Sequence, residues 1–151
     1  MNRGRKIKRI GFYILIGVAA PFMLLGLRIF LDLSNPLRQP VEQIREDILL
    51  VTPLGISIGD TAEILQVARE SKNWGYFSVS TGRGVVYAEL GLPSRAEDFA
   101  LNRSTVVGEH SIRMHLGGYT NLFRTNIIIW WAFDENFKLI EVYVRKRLIG
   151  W

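Results

Sequence analysis

The side chains that could carry out chemistry in this chain are few, and their spacing does not favour catalysis. His110 and His115 are the only two histidines, and cysteine is absent. Their spacing in a predicted strand points them to opposite faces, so they cannot share a metal ion. Glu109 stands beside His110, but adjacency in sequence does not create a hydrogen bond. We expect both histidines to be surface or packed side chains.

Two further patterns have non-catalytic interpretations. The segment Gly82-Arg83-Gly84 is too short for a phosphate-binding loop and has no Lys-Ser/Thr after it, so it predicts a turn. Glu97 and Asp98 could form a carboxylate pair, but an exposed loop is the better interpretation. We therefore predict that the chain is not an enzyme and holds no metal and no cofactor. A hydrolase that uses one of the two histidines is the distant alternative.

The net charge of the chain belongs to its N-terminus. The whole chain carries a formal charge of +5. Residues 1–34 hold six of its 19 Lys and Arg side chains and one of its 14 Asp and Glu side chains, which leaves thirteen of each sign in residues 35–151. A nucleic-acid-binding domain needs an excess of basic side chains to attract phosphates. We therefore predict no nucleic-acid partner.

Residues 10–33 have the composition of a segment that lies in a lipid bilayer. Residues 10–27 contain no charged side chain, and as a helix they would span about 27 Å, close to the roughly 30 Å hydrocarbon core of a membrane. Five basic residues precede the span, which places the N-terminus in the cytoplasm and the following domain outside. A cleaved signal peptide is the competing interpretation, but Pro21, after Val18-Ala19-Ala20, disfavours a cut there.

These features predict three segments. Residues 1–34 are a cytoplasmic basic tail and a transmembrane signal-anchor, so the protein is expected to cross the membrane once. Residues 35–40 are a linker that contains two prolines. Residues 41–151 are a single extracytoplasmic domain of ordinary size.

Two amphipathic helices are predicted to open this domain. Apolar residues recur at helical spacing from Val41 until Pro53 ends the first helix. Ser57 and Asp60 then have the spacing of a capping box, with Asp in place of the usual Glu. A second apolar stripe follows this cap and ends near Ser71.

Strand patterns occupy most of the remaining sequence. Extended segments rich in β-branched and aromatic residues are separated by turn residues. In chain order these segments are 74–80, 85–90, 111–116, 126–133 and 139–147, with a loop at 91–104. The predicted fold class is α+β, with two short helices packed on an antiparallel sheet of about four strands.

The last two strands allow a prediction of faces and of a binding site. Pairing Phe133 with Lys138 places Trp131 opposite Ile140 and makes one face continuously apolar, so we expect it to pack under the helices. The other face is half polar and is expected to face water. It carries Trp, Tyr and Arg, the types that dominate binding hot spots. The residues predicted to bind a partner are Ile128, Trp130, Glu141, Tyr143 and Arg145. The alternative is that residues 91–108 cover this face.

The order of two helices followed by antiparallel strands carries a family resemblance. With Pro53-Leu54-Gly55-Ile56-Ser57 before the second helix, and Phe133-Asp134-Glu135 and Lys138-Leu139 at the final hairpin, it resembles the β-lactamase-inhibitor protein and the SmpA/OmlA outer-membrane assembly lipoproteins. The similarity covers roughly residues 41–147. It implies a non-catalytic module that binds other proteins. The lipid-carrying cysteine of the lipoproteins is missing and a transmembrane helix takes its place, so a role in outer-membrane assembly is not implied.

Two functions are compatible with these features. The first is a membrane-anchored extracytoplasmic module that binds a protein partner through its sheet. The second is an anchored inhibitor or immunity protein that acts on an enzyme or a toxin. For the second, the feature to look for is an exposed loop, at residues 81–84 or 91–108, that could enter a cleft.

Overall fold

The computed structural model of the protein describes residues 35–72, 74–101, 103–120 and 124–149. The chain divides into two units, residues 1–38 and residues 39–151. The described part of the first unit contains the 3-10 turn Pro36–Arg38. The predicted anchor, residues 10–33, lies outside the described residues. Within the described ranges, no helix combines the length and the apolar composition needed to cross a bilayer.

The second unit has the predicted α+β fold class, with four helices and a four-stranded antiparallel sheet among its described residues. The helices are α1 (Val41–Val51), α2 (Ile58–Lys72), α3 (Tyr87–Leu90) and α4 (Ala96–Ala100). The strands are β1 (Phe77–Ser80), β2 (Val85–Val86), β3 (Val106–Val107), β4 (His110–Thr120), β5 (Arg124–Phe133) and β6 (Leu139–Ile149). The strand order in the sheet is β1-β4-β5-β6, while β2 and β3 pair with each other as a short ribbon.

Helices α1 and α2 begin and end where the local sequence predicts. Ile44 and Ile48 lie one turn apart on α1 and are both buried. Thr52 closes this helix by donating its backbone N–H to the Ile48 carbonyl at 2.8 Å. Helix α2 starts after Ser57, whose hydroxyl oxygen accepts the Asp60 N–H at 3.1 Å. The Ser57 hydroxyl also donates to the Asp60 carboxylate at 2.6 Å, because Asp is shorter than the Glu that reaches a backbone N–H in a full capping box.

Strand β4 is longer than its sequence pattern predicts. The prediction that Gly117-Gly118 ends the strand is wrong, because β4 continues to Thr120 through a β-bulge between His115 and Gly117. Glycine is required in this stretch because the backbones lie close together. A Cβ at Gly118 would lie 2.5 Å from the Thr125 carbonyl oxygen on β5. Gly118 therefore permits close strand pairing, and the two glycines do not interrupt the strand.

The predicted register of the last hairpin is wrong by two residues. Trp131 lies opposite Val142, not opposite Ile140. The difference arises next to the turn, where Phe133 pairs with Leu139 and a β-bulge leaves Ile140 40% exposed. Because the shift beyond the bulge is an even number of residues, the side chains from Glu141 onward keep the faces that were predicted for them. At the bulge itself, Leu139 takes the inner position that was predicted for Ile140.

The inner face of the sheet, on which Trp131 lies, packs against α1 and α2. The Trp131 indole N–H donates to the Thr52 hydroxyl oxygen at 2.9 Å, and the Thr52 hydroxyl donates to the Ile48 carbonyl at 3.0 Å. Both Trp131 and Thr52 are buried, so this chain of hydrogen bonds ties the sheet to the end of α1. The other buried apolar residues of this layer include Ile44, Leu65, Ile112, Met114, Ile127, Ile129, Phe133, Leu139 and Val142.

Replacing Thr52 by Val tests the bond between helix and sheet. Valine has nearly the same shape, but it leaves the Trp131 N–H buried without an acceptor. We expect Thr52→Val to lower the free energy of unfolding by about 1–3 kcal/mol, measured by urea denaturation of the full-length chain. Thr81→Val, at an exposed turn residue, is the control and should change it by less than about 0.5 kcal/mol. Equal effects of the two substitutions would contradict this role of Thr52.

Candidate functional site

The outer face of the sheet carries all five residues of the predicted binding site. Arg113, Trp130 and Tyr143 lie in one row across β4, β5 and β6, and Ile128 pairs with Arg145 in the next row. Glu141 lies opposite Ala132, one row further towards the hairpin turn. The register therefore brings the predicted residues onto one surface and adds Arg113 to them.

A layer that we call the cover, made of β2, α3, α4 and β3 between Val85 and Val107, lies over part of this face. Val85 and Leu90 pack with Ile128, Trp130 and Ala132 in a buried apolar cluster. Ile128 and Trp130 are each only 3% exposed as a result. The expectation that this face is open to water is therefore corrected: it is covered by Val85 and Leu90, with Tyr87 and Val107 packed against the same cluster. The alternative of a cover from residues 91–108 is met in part, through Val107.

Residues 85–90 were predicted to be extended, but only the first two are, and Thr105 holds the segment that follows them in place. Val85 and Val86 pair with β3 as a strand, but the chain then turns into α3. The Thr105 carbonyl accepts the Tyr87 N–H at 2.9 Å, and the Thr105 hydroxyl oxygen accepts the Arg95 N–H at 2.7 Å. The same hydroxyl donates to the Asp98 carboxylate at 2.8 Å. Asp98, predicted to lie in an open loop, therefore holds the cover together.

The three polar residues of the predicted site have separate structural roles. The Glu141 carboxylate forms an ion pair with Arg45 of α1 at the edge of the sheet. Tyr143 packs edge-to-face on Tyr87, with 6.1 Å between ring centroids, and burial raises the pKa of Tyr143 far above its usual value. The Arg145 guanidinium donates to the Glu89 carbonyl at 2.6 Å. Partner binding by these residues stays a prediction.

Beside the cover, the outer face forms a cavity of about 400 Å³ that we call the arginine cleft. Ile128 and Trp130 form its floor, α3 contributes one side, and three arginines from β4 and β6 surround it. The residues that line the cleft are Ala88, Glu89, Arg113, Ile128, Trp130, Arg145 and Arg147. A volume of this size suits a small molecule or a side-chain cluster of a partner.

The arginine cleft has an excess of positive charge. Its one acidic side chain, Glu89, already forms an ion pair with Arg83 at 2.5 Å. Within the described part of the chain, no acidic side chain forms an ion pair with Arg113 or Arg147. The Arg113 guanidinium lies 5.5 Å from the centre of the Trp130 ring, which favours a fixed position over the floor. The arrangement can therefore attract and hold an anion.

Arg113 and Arg147 were not among the predicted site residues. Arg147 stands two positions after Arg145 on the same strand, so the period of two could have assigned it to the same face. Arg113 alternates with the buried Ile112 and Met114, which gives its face but not its neighbours. Only the pairing of Arg113 with Trp130 places it beside the cleft.

Gly91 makes room for the arginine cleft. Its φ of 71° is in the left-handed region, where a side chain causes strain. A Cβ at this position would also lie 2.8 Å from Arg145 Nη2. Gly82 has a similar φ of 75°, but a Cβ there would have no other atom within 4 Å. A side chain at Gly82 would therefore cause backbone strain alone, whereas a side chain at Gly91 would cause backbone strain and also displace Arg145.

Alanine substitutions at Gly91 and Gly82 test the fixed position of Arg145. Each substitution should lower the free energy of unfolding by about 1–2 kcal/mol, because alanine is strained in the left-handed conformation. Gly91→Ala should lose about 1 kcal/mol more, because Arg145 must release the Glu89 carbonyl. In an Arg145→Ala background this extra loss should vanish, as measured by a double-mutant cycle from urea denaturation. Persistence of the extra loss in that background would show that Arg145 is not its cause.

The cover also exposes large apolar side chains that the sequence-based site did not include. Phe99 on α4 is 79% exposed and Leu101 directly after it is 64% exposed. Leu92, in the segment between α3 and α4, is also exposed. The hydrogen bond from Thr105 to Asp98 holds the helix that carries Phe99. A fixed, protruding aromatic side chain is the kind of group that anchors a protein interface.

The two histidines lie on opposite faces of β4, as predicted. His110 accepts the Gly82 N–H at Nδ1 at 2.8 Å and stacks on Phe137. His115 packs near Tyr76, and burial, followed by the charge of Arg113, lowers the pKa of His115. Among the described residues, no group of three His, Cys, Asp or Glu side chains could hold a metal ion.

Residues Gly55 to Gly59 have the G-x-S-x-G pattern of a hydrolase nucleophile, a signal that the reasoning from sequence overlooked. In such enzymes the serine lies on a strained turn between a strand and a helix. Here the segment joins two helices. Phe137 is the only non-glycine residue with positive φ in the described ranges, and the Ser57 hydroxyl donates to Asp60. Helix capping therefore accounts for this serine.

No family model matches this chain, and no curated protein or solved structure matches it at a significant level. The resemblance to the β-lactamase-inhibitor protein and the SmpA/OmlA lipoproteins therefore stays a prediction.

Proposed function

We propose that the chain is a single-pass membrane protein whose domain lies outside the cytoplasm and binds a protein partner. The charge-free run of residues 10–27, with five basic residues before it, supports the anchor and its orientation. The balanced charge of residues 35–151 supports a protein partner over nucleic acid. The binding surface is proposed to lie on the cover.

The observation that carries the partner proposal is the exposure of Phe99 and Leu101 on an ordered segment. Burial of one such side chain against a partner contributes about 1.5–3 kcal/mol. The hydrogen bonds at Thr105 already hold the segment, so little conformational freedom is lost on binding. The binding surface is thus proposed to be the apolar edge of the cover, while Ile128 and Trp130 support it from below.

Cysteine labelling tests the anchor and its orientation, because the chain contains no cysteine of its own. Asn2→Cys lies in the proposed cytoplasmic tail and Ser104→Cys lies in the proposed outer domain. A membrane-impermeant maleimide should label Ser104→Cys in right-side-out vesicles and Asn2→Cys in inverted vesicles. Detergent should make both accessible and serves as the control. Release of the unprocessed chain from membranes without detergent would contradict the proposal, as would the reverse labelling pattern.

Replacing the apolar side chains of the cover tests partner binding. With a photo-crosslinking residue at position 103, the full-length chain in membranes should give a discrete crosslinked product. Phe99→Ser combined with Leu101→Ser should reduce that product about tenfold or more, because two apolar anchors are lost. Leu50→Ser is the matched control, since Leu50 is 83% exposed on α1. If the double variant and the control give equal yields, the apolar edge is not the binding surface.

The protruding position of Phe99 also favours a second candidate, an anchored inhibitor or immunity protein. A short helix that carries an exposed aromatic residue could enter the cleft of an enzyme or toxin. The crosslinked partner, once identified by mass spectrometry, distinguishes the two candidates. An inhibitor requires that the purified full-length chain lowers the partner's activity and that Phe99→Ser restores it. A partner whose activity does not respond to the chain would leave the first candidate.

A further inference from the structure

We propose that the arginine cleft binds a phosphate monoester, with the phosphate held by Arg113 and Arg147 and the rest of the molecule on Ile128 and Trp130. The cleft lies on the outer face beside α3, and its residues are distinct from the apolar edge at Phe99 and Leu101. The inference therefore does not depend on partner binding at that edge.

The positions of the strands support two guanidinium groups that converge on one anion. Arg113 is on β4 and Arg147 is on β6, with β5 between them. Neighbouring strands are about 4.8 Å apart and a strand rises about 3.3 Å per residue. Arg113 lies opposite Trp130 and Arg147 lies opposite Asn126, four residues further along β5, so the two backbones are roughly 16 Å apart across the floor. Arginine side chains are long enough for both guanidinium groups to extend to a ligand that lies between them, and both residues line the cleft. A ligand placed on Ile128 could contact both of them.

The number of donors favours phosphate over a single carboxylate. Each guanidinium offers five N–H donors, and within the described residues only Arg145 of the three uses one in a direct hydrogen bond, to the Glu89 carbonyl. A phosphate monoester presents three terminal oxygens and up to two negative charges. It can therefore accept from two or three arginines at once and balance their charge. Bidentate pairing of arginine with phosphate is also geometrically favourable.

The floor and two of the arginines are already fixed before a ligand binds. Arg145 is held by the Glu89 carbonyl and by its close packing on Gly91. Arg113 is held over the Trp130 ring. Among the described residues, the buried Trp130 indole N–H has no hydrogen-bond acceptor, so its partial positive charge beneath the floor is not compensated. Fixed positive groups can bind the phosphate of an organic phosphate, and the apolar floor can bind its organic part.

The phosphate could belong to a soluble metabolite or to a lipid headgroup, and a binding experiment distinguishes the two sources. Purified full-length chain in detergent is titrated with glycerol 3-phosphate, with tryptophan fluorescence as the signal and ionic strength held constant. In a parallel arm, the chain in nanodiscs with phosphatidic acid is compared with the chain in phosphatidylcholine nanodiscs, each with and without added glycerol 3-phosphate. We expect a saturable change that is absent in Trp130→Phe, because Trp130 forms the floor.

Arginine variants decide whether the signal belongs to the cleft. Arg113→Gln and Arg147→Gln should each weaken binding about tenfold or more, while Arg69→Gln on α2 should leave it unchanged. An unchanged urea midpoint shows that the variants are folded. Saturation with glycerol 3-phosphate assigns a soluble ligand, and a change that appears only with phosphatidic acid assigns a lipid headgroup. The proposal is overturned if neither probe binds, or if Arg69→Gln weakens binding as much as the cleft variants do.

Discussion

Strand β5 must be buried on both of its faces, and the rest of the domain depends on that constraint. All seven residues from Ile127 to Phe133 are buried. A sheet with one wet face would leave every second one of these side chains in water. Because the strand is apolar on both sides, it needs one layer of structure above the sheet and another below it. Helices α1 and α2 form the first layer, and the cover forms the second.

The two layers differ in whether they supply a hydrogen-bond acceptor to the buried side chains of the strand. Two adjacent tryptophans show the difference. Trp131 points to the helices, where the Thr52 hydroxyl accepts its indole N–H. Trp130 points to the cover, where its indole N–H has no acceptor within the described residues. The cover is built from short elements and is held by Thr105. It buries the Trp130 ring but leaves space beside it, and that space is the arginine cleft.

The proposed functions both arise from the second layer. Its apolar edge carries Phe99 and Leu101, which a core this small does not bury. Beside it, the outer sheet face keeps Arg113 and Arg147 without an acidic partner in the described chain. The proposed anchor would hold the domain near other membrane-bound molecules at a high local concentration, so that even modest binding energies would be useful. The cover thus offers an apolar contact surface, and the sheet beside it offers a basic one.

The sequence alone determined the elements whose signals are local. The extent of α1, the cap at Ser57 and the fold class follow from periodicity and from short-range hydrogen bonding. The assignment of faces in the last hairpin, beyond the bulge at Ile140, also followed, because a period of two survives an even error in register. The charge difference between the N-terminus and the remainder can likewise be counted from the residues.

The tertiary structure alone decided how these elements meet. The bulge at Ile140 depends on the geometry of the turn. The pairing of Arg113 with Trp130 and the packing of Val85 on β5 each join residues that are far apart in the chain. Periodicity states which face a side chain occupies, but it does not state which neighbour lies opposite or which segment covers it. For that reason Trp130 was predicted to be an exposed contact residue and is instead the buried floor of the cleft.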